Sequence, residues 1–250
     1  MKILVPVKRV PDPYDRISLT ADGDLDDADL KWVVNPFDEI ALEEAVRLRD
    51  RLADLEIVAV TVGGDECEPM LRSALAMGAD RAILVEDEDA SDSRTVAFLL
   101  HAITTRERPD MVLMGKQAID DDNSQVGPRL AARMGRPQAT FASKITVTED
   151  RLLARVTREV DSGQETIEVT LPAVITVDLR LNEPRYVALP AILKARAKPL
   201  QRISSDELGD KPPLQVRTVK RESPPPRKSG RRVGSVTELV QALREEAHIL

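Results

Sequence analysis

The polar residues that could bind a ligand lie in three loops, each directly after a strand-like run. The loops cover residues 8–12 (KRVPD), 63–65 (GGD) and 115–128 (GKQAIDDDNSQVGP). In the third loop a glycine follows a buried strand and polar residues lead into a helix start, an arrangement whose free backbone N–H groups can hold a phosphate. The loop lacks the GKS or GKT of a Walker site, and the chain has no GxGxxG. The residues therefore predict a nucleotide-sized site without hydrolysis, and a capped surface loop is the competing interpretation.

Three consecutive aspartates occupy the middle of this loop, Asp120, Asp121 and Asp122. Their negative charges argue against direct contact between these side chains and a bare polyanion. We expect them instead to face solvent, a cation or a ribose hydroxyl.

Few other side chains could react. Cys67 stands at a predicted helix start, which can lower a thiol pKa, although a structural role is the expected one. His101 lies in an apolar helical run and is predicted to be a packed core histidine. With His248 as the only other histidine, almost nothing remains for a zinc site or a histidine-based triad. We therefore predict no catalytic residue and no metal.

The elements that must position these loops alternate between strands and helices, which predicts an α/β fold with a Rossmann-like, mostly parallel sheet covered by helices on both faces. The predicted strands cover residues 2–7, 55–62, 81–85, 111–114 and 171–177, with an antiparallel meander at 141–147, 152–160 and 165–170. The predicted helices start after Asn35 and at residues 68, 94, 125 and 236. Packing is expected to fade from residue 200. The expected domains are an α/β body at 1–185, a partner-recognition loop at 186–200 and a C-terminal arm with a helix at 201–250.

The net charge of −7 conceals a basic segment. Residues 194–232 carry 12 Lys or Arg against four Asp or Glu, so the remainder is strongly acidic. The basic segment has no aromatic residue, which argues against a nucleic-acid partner. A solvated tail and an arm that wraps an acidic partner subunit are both open interpretations. No apolar run approaches the roughly 20 residues that a membrane-spanning helix needs, so no membrane insertion is expected.

Residues 179–199 (LRLNEPRYVALPAILKARAKP) contain no nucleophile, base or metal cluster. A polar, proline-interrupted turn leads to a leucine, a second proline and a short helix-like run with basic residues. Such a segment suits the presentation of an apolar knob to another protein better than it suits chemistry.

Five motifs in this order, VKRVPD, NPFDEIALEEAVRL, ALAMGADRA, GKQAIDDDNSQVG and DLRLNEPRYVALPAILKA, resemble the beta-subunit family of electron-transfer flavoproteins. The resemblance runs from Lys2 to about Lys198. It implies an alpha–beta heterodimer that carries electrons from several flavin dehydrogenases, such as acyl-CoA dehydrogenases, to a membrane quinone oxidoreductase. It also implies one FAD held mainly by alpha and, in the common subgroup, one structural AMP buried in beta. An electron-bifurcating relative with a second FAD in place of AMP and a stand-alone adenine-nucleotide-binding module are the alternatives.

The resemblance also implies site residues. For the nucleotide these are Pro6, Asn35, Pro36, Phe37, Asp38, Val62, Gly115, Lys116, Gln117, Ala118, Ile119, Asp120, Asp121, Asp122, Asn123, Ser124, Gln125 and Val126. Pro6 and Val62 stand where the family has small residues or cysteine, and Val126 stands where a threonine often binds phosphate.

For partner recognition the implied residues are Arg185, Tyr186, Leu189, Pro190, Ile192 and Lys194. Leu189 is expected to be the anchor, Arg185 and Tyr186 to shape the base of the loop, and the basic residues beyond to steer docking. Arg158 and Glu159 match a position that latches the FAD domain of alpha. The absence of an amphipathic presequence favours a bacterial cytoplasm over a mitochondrial matrix.

Overall fold

A computed structural model describes residues 1–87, 92–214, 216–226 and 229–250. Three residues of the predicted arm, 215, 227 and 228, lie outside the described residues. Thirteen strands are assigned in the described part of the chain: β1 Lys2–Pro6, β2 Arg9–Pro11, β3 Ser18–Leu19, β4 Leu25–Asp26, β5 Trp32–Val34, β6 Glu56–Gly63, β7 Arg81–Glu86, β8 Met111–Gly115, β9 Gln138–Val147, β10 Leu153–Val160, β11 Gly163–Thr170, β12 Ala173–Val177 and β13 Leu200–Ser204.

Nine of these strands form one twisted sheet in the order β11-β10-β9-β12-β8-β1-β6-β7-β13. Seven neighbouring strands, from β9 through β13 in this order, run parallel, and β10 and β11 continue the sheet as an antiparallel hairpin. The mostly parallel α/β class and the antiparallel meander are both confirmed. The strand order reverses between β1 and β8, so the carboxyl ends of these two strands open a crevice at the edge of the sheet.

Six α-helices are assigned among the described residues: α1 Pro36–Leu52, α2 Glu68–Met77, α3 Ser93–Glu107, α4 Val126–Met134, α5 Leu189–Ala195 and α6 Val236–Glu245. Buried side chains of α1 and α2 pack on one face of the sheet, and those of α3 and α4 pack on the other. The predicted covering of both faces is thereby confirmed. Helix α1 begins as predicted, with Pro36 in its first turn and Asp38 and Glu39 at the positive end of its dipole.

Packing fades later than expected, because no described residue is buried from residue 209 onward, whereas residues 200–208 still pack on the body. Strand β13 pairs in parallel with β7 along five residues, and a 3-10 turn at Ser205–Leu208 follows, capped by Ser204. Ile203 and Leu208 are buried in the core on the α3 face. The sequence concealed this edge strand because only two of its five residues, Leu200 and Ile203, are apolar. In contrast, no residue of α6 is buried.

Candidate functional site

A cavity of about 350 Å³ lies at the carboxyl ends of β1, β6 and β8, at the point where the strand order reverses. This is the position at which open α/β sheets bind their ligands. Its volume is near the lower end of the roughly 300–1,000 Å³ that is typical of small-molecule sites. The cavity is therefore large enough for a small-molecule ligand.

Most of the residues expected to bind the nucleotide line this cavity. They are Pro6, Asn35, Asp38, Val62, Gly115, Lys116, Gln117, Ala118, Asp120, Asp121, Asn123, Ser124, Gln125 and Val126.

The other four do not line the cavity. Pro36 and Phe37 begin α1. The Ile119 backbone N–H donates to Asn35 Oδ1 at 3.2 Å, and Asp122 accepts from Gln117 Nε2 at 2.6 Å. Ile119 and Asp122 therefore contact residues that line the cavity.

The start of α3 was not identified from the sequence as part of the site. Asp92, Ser93, Val96 and Leu100 line the cavity, although no motif in the sequence singles them out. The signal available was topological, because α3 follows the carboxyl end of β7, which reaches the same edge of the parallel sheet as the other loops. Lys8, from the first polar loop, also lines the wall.

The N-terminus of α4 is the part of the wall best suited to an anion. Helix α4 has no side-chain cap among the described residues and no acidic residue in its first turn. Its free N–H groups and positive dipole end therefore face the cavity at Gln125, Val126 and Gly127. The start of α3 differs, because Asp92 caps it by accepting from Thr95 N at 2.7 Å. The start of α4 therefore suits an anion better than the start of α3 does.

Gly127 allows α4 to approach the sheet closely. A Cβ at this position would overlap the Thr176 side chain on β12. The close contact brings the first turn of α4 to the edge of the crevice.

Part of the cavity wall is apolar. Val60, Val62, Val96, Leu100 and Met114 form it, and they suit the flat face of a heterocycle. Thr61 lies among them, and its buried Oγ1 has no hydrogen-bond partner in the described part of the chain. An unpaired buried hydroxyl is costly. The apolar wall and the uncapped α4 terminus together fit a nucleotide, which combines an apolar face with polar edges.

Asp38 joins the loops that form the cavity. Its buried carboxylate accepts from the backbone N–H of Lys8 at 2.9 Å and of Gly115 at 3.0 Å. Burial raises the pKa of Asp38 to about 7, although hydrogen bonds from Lys8, Asn35 and Gly115 partly oppose this effect. Asn35 makes a second contact between these loops, because its Nδ2 donates to Gln117 O at 2.9 Å. The first turn of α1 thereby holds the ends of β1 and β8 together.

Two of the three aspartates in the run are paired with a cation of the same chain. Lys8 Nζ lies 2.7 Å from Asp120 and 3.3 Å from Asp121. These ion pairs lie in the cavity lining, and they match the expectation that the aspartates face a cation. The cation is a side chain of the same protein.

The side chain of Lys116 is engaged by other residues and is not placed as a phosphate-binding lysine would be. Its Nζ lies 2.7 Å from Asp178 and within 5.3 Å of the ring centres of Phe37 and Phe141. Its charge is therefore directed toward β12 and away from the α4 terminus.

The predicted knob forms a solvent-exposed apolar ridge, defined here as Tyr186, Leu189, Ile192 and Leu193. Their exposed fractions are 93%, 65%, 43% and 54%. Arg185 lies at the base of the segment, where its Nε donates to Glu43 at 2.8 Å. The Tyr186 side chain, which was expected to shape the base, is almost fully exposed and is part of the ridge instead.

Of the basic residues beyond the ridge, Lys194 and Arg196 are exposed. Lys198 is not free to steer docking as expected. Its Nζ donates to the carbonyls of Leu75 at 2.9 Å and Ala79 at 2.6 Å.

The expected latch residues lie on β10. Glu159 pairs with Arg180, and Arg158 pairs with Glu165 and donates to Thr140 Oγ1 at 2.9 Å. Glu159 and Arg180 border a second cavity of about 300 Å³ together with Lys116, Phe141 and Asp178. Both latch residues are therefore already engaged by residues of this chain.

The two candidate reactive groups have different environments. Burial, followed by the charge of Glu66, raises the pKa of Cys67 to about 11, which disfavours the reactive thiolate. This supports the structural interpretation of Cys67. His101 is half-buried rather than packed in the core, because it lies on the outer side of α3. None of the helices in the described ranges is long and apolar enough to cross a membrane.

Fold and cavity define a class, an α/β protein with a nucleotide-sized site at a topological switch point. The electron transfer flavoprotein domain matches residues 22–208. The mitochondrial electron transfer flavoprotein subunit beta of Arabidopsis thaliana is 46% identical over 251 residues, covering 100% of both chains. The corresponding subunit of Bradyrhizobium diazoefficiens is 44% identical over 251 residues, again with 100% coverage of both. That of Homo sapiens is 44% identical over 260 residues, covering 100% of this chain and 99% of the human protein.

The chain belongs to the electron transfer flavoprotein family, in its beta-subunit branch, as the five motifs indicated. Its role is therefore in electron transfer. A mitochondrial relative and a bacterial relative match at similar identity, so the similarity favours neither of the two compartments.

Proposed function

We propose that this chain is the beta subunit of an alpha–beta heterodimer that carries electrons from flavin dehydrogenases, such as acyl-CoA dehydrogenases, to a membrane quinone oxidoreductase. FAD, held mainly by the alpha subunit, supplies the redox chemistry. This chain contributes binding and orientation and no catalytic residue of its own. One observation carries the proposal. This chain of the family has both a nucleotide-sized cavity and, apart from it, an exposed apolar ridge.

AMP is the proposed occupant of the cavity. The α4 terminus would hold its phosphate through backbone N–H groups, and the apolar wall would hold its base. The polar backbone N–H groups near Val126 take the place of the threonine that often binds phosphate in the family. Because AMP binds only the folded site, it would stabilise the chain by mass action, by about 2.7 kcal/mol at a concentration 100 times its Kd.

Leu189 is the proposed anchor for the dehydrogenase. It stands at the first position of α5, with Pro190 next to it and Ile192 and Leu193 within one turn. Burial of such a side chain contributes roughly 1.5–3 kcal/mol. This is enough to bias a transient complex without making it permanent, which an electron carrier requires. Lys194 and Arg196, exposed beside the ridge, would steer an acidic partner.

The C-terminal arm and Glu159 are the proposed contacts with the alpha subunit. The apolar residues of α6, including Val236 and Leu239, are exposed, and an amphipathic helix of this kind is stabilised by packing on a partner. Glu159 would act as a latch by exchanging Arg180 for a cation of the FAD domain.

The direct test is to co-express the chain with an alpha subunit, purify the complex and identify its bound nucleotides. The proposal predicts one FAD and one AMP per heterodimer. Two FAD molecules without AMP would identify an electron-bifurcating protein instead. A stable, nucleotide-loaded monomer obtained from this chain alone would favour the stand-alone binding module.

A further inference from the structure

The apolar ridge stands on a helix that is too short to be stable by itself. Helix α5 has seven residues, and only Ala195 among them is buried. Isolated helices shorter than about 12–15 residues are marginal in water. The free protein therefore needs contacts outside α5 to keep Leu189 and its neighbours in place.

Arg72, on α2, binds the carboxyl end of α5. Its Nη1 donates to the carbonyl of Ala195 at 3.2 Å and to that of Lys198 at 3.0 Å. These carbonyls lie at the negative end of the helix dipole, where a guanidinium is favourable. Glu68 holds the guanidinium in position by accepting from its Nε at 3.1 Å and its Nη2 at 3.0 Å. The donor is thus oriented before any partner arrives.

Lys198 makes the reciprocal contact. Its ammonium donates to the carbonyls of Leu75 and Ala79 at the carboxyl end of α2. Helices α2 and α5 therefore cap each other, each through a cation supplied by the other segment. We call Arg72 and Lys198 together the crossed cap.

The other end of the recognition segment is anchored separately. Arg185 donates to Glu43 through its backbone N–H at 3.2 Å and its Nε at 2.8 Å. Glu43 is buried on α1. The segment from residue 185 to residue 198 is thus attached to the body at both ends, while the ridge between them remains exposed.

We infer that Arg72 and Lys198 are positioning residues for docking, and that the crossed cap keeps α5 helical so that the ridge is preorganised for an apolar pocket on the dehydrogenase. This inference rests on the proposed docking function. Ordering a segment on binding weakens affinity, and an already ordered segment avoids that cost. Neither residue needs to contact the partner for this effect.

The test uses the FAD-loaded heterodimer with the substitutions Arg72→Met and Lys198→Met, one from each half of the cap. Backbone hydrogen exchange at residues 189–198 should accelerate in both variants. The KM for the dehydrogenase should rise by about threefold to tenfold, with kcat and FAD content unchanged. Lys198→Arg, which keeps a donor, should recover most of the wild-type KM.

Arg155→Met is the matched control. Arg155 binds Glu168 through Nε at 3.1 Å and Nη2 at 2.6 Å, much as Arg72 binds Glu68, but it makes no carbonyl contact among the hydrogen bonds of the described residues. It should leave both exchange at 189–198 and KM unchanged.

Unaltered exchange in both cap variants would overturn the inference. A second result would also overturn it: faster exchange in the cap variants with an unchanged KM, in an assay where Leu189→Ala does raise KM. Docking would then occur through Leu189 but would not depend on the cap. An unchanged KM in Leu189→Ala would overturn the docking function itself, together with any role of the cap in it.

Discussion

The Asp38 carboxylate accepts a hydrogen bond from the backbone N–H of Gly115 at 3.0 Å, across 77 residues of chain. This contact joins the first turn of α1 to the end of β8. A Cβ at position 115 would overlap Asp38 Oδ1 and Phe37, so the glycine is required for the approach. The candidate nucleotide site thus depends on a buried carboxylate and a residue without a side chain.

The stability of the nucleotide-free chain should depend on Asp38 ionisation. The folded-state pKa is raised from 3.8 to about 7 by burial, so the folded state holds its proton more tightly than the unfolded state. The associated stabilisation is present below pH 3.8 and is lost as the pH rises through about 7. Asp38→Asn should remove this loss, so its free energy of unfolding should change less between pH 4 and 7 than that of the wild type. Denaturant titrations over this range provide the measurement. Asp161→Asn in the exposed hairpin turn should behave like the wild type, and a wild-type slope in Asp38→Asn would contradict the assignment.

Removal of the orphaned hydroxyl should separate stability from ligand binding. Thr61→Val should stabilise the nucleotide-free chain by about 1 kcal/mol or more, because a buried unpaired polar group is lost. The same change should leave AMP retention unchanged, because the hydroxyl is not exposed to the cavity; calorimetry or the nucleotide content after dialysis measures this. Thr176→Val is the control, because its hydroxyl accepts from Phe141 N at 3.2 Å and its removal should destabilise the chain. Weaker AMP binding by Thr61→Val would show that the ligand reaches this hydroxyl.

The close packing of α4 should be sensitive to one methyl group. Gly127→Ala places a Cβ against Thr176, and overpacking of this kind costs about 1–3 kcal/mol. The displaced helix terminus should also bind AMP less tightly. Thermal unfolding with and without AMP measures both effects. Gly230→Ala, where the added Cβ meets nothing within 4 Å, should leave the melting temperature unchanged. An equally small effect at residue 127 would show that α4 can shift without cost.

Truncation of the proposed anchor should affect docking alone. Leu189→Ala removes apolar surface that a pocket would bury, so the KM for a flavin dehydrogenase should rise by about tenfold or more. FAD content, AMP content and melting temperature should be unchanged, since the side chain is exposed in the free chain. Leu152→Ala provides a comparison at a similar exposure, 61% against 65%, in the turn before β10. Equal kinetics in both variants would eliminate Leu189 as the anchor.

The sequence by itself determined the alternation of strands and helices, the antiparallel hairpin and the strand-end loops. These features follow from local patterns, namely apolar periodicity, turn residues and helix caps, which act over a few residues. The family motifs also identified Leu189 and the long loop before α4. A local pattern could not identify β13, because an edge strand with few apolar residues resembles a loop.

Only the tertiary structure decided which residues face the cavity and which contacts hold the ridge. The start of α3 reaches the site because parallel strands bring their carboxyl ends to one edge. Lys198 caps a helix and does not carry a free docking charge, because it contacts the end of α2. The residue it binds there, Ala79, lies 119 residues earlier in the chain. Such pairings depend on the three-dimensional path of the chain, and no spacing in the sequence encodes them directly.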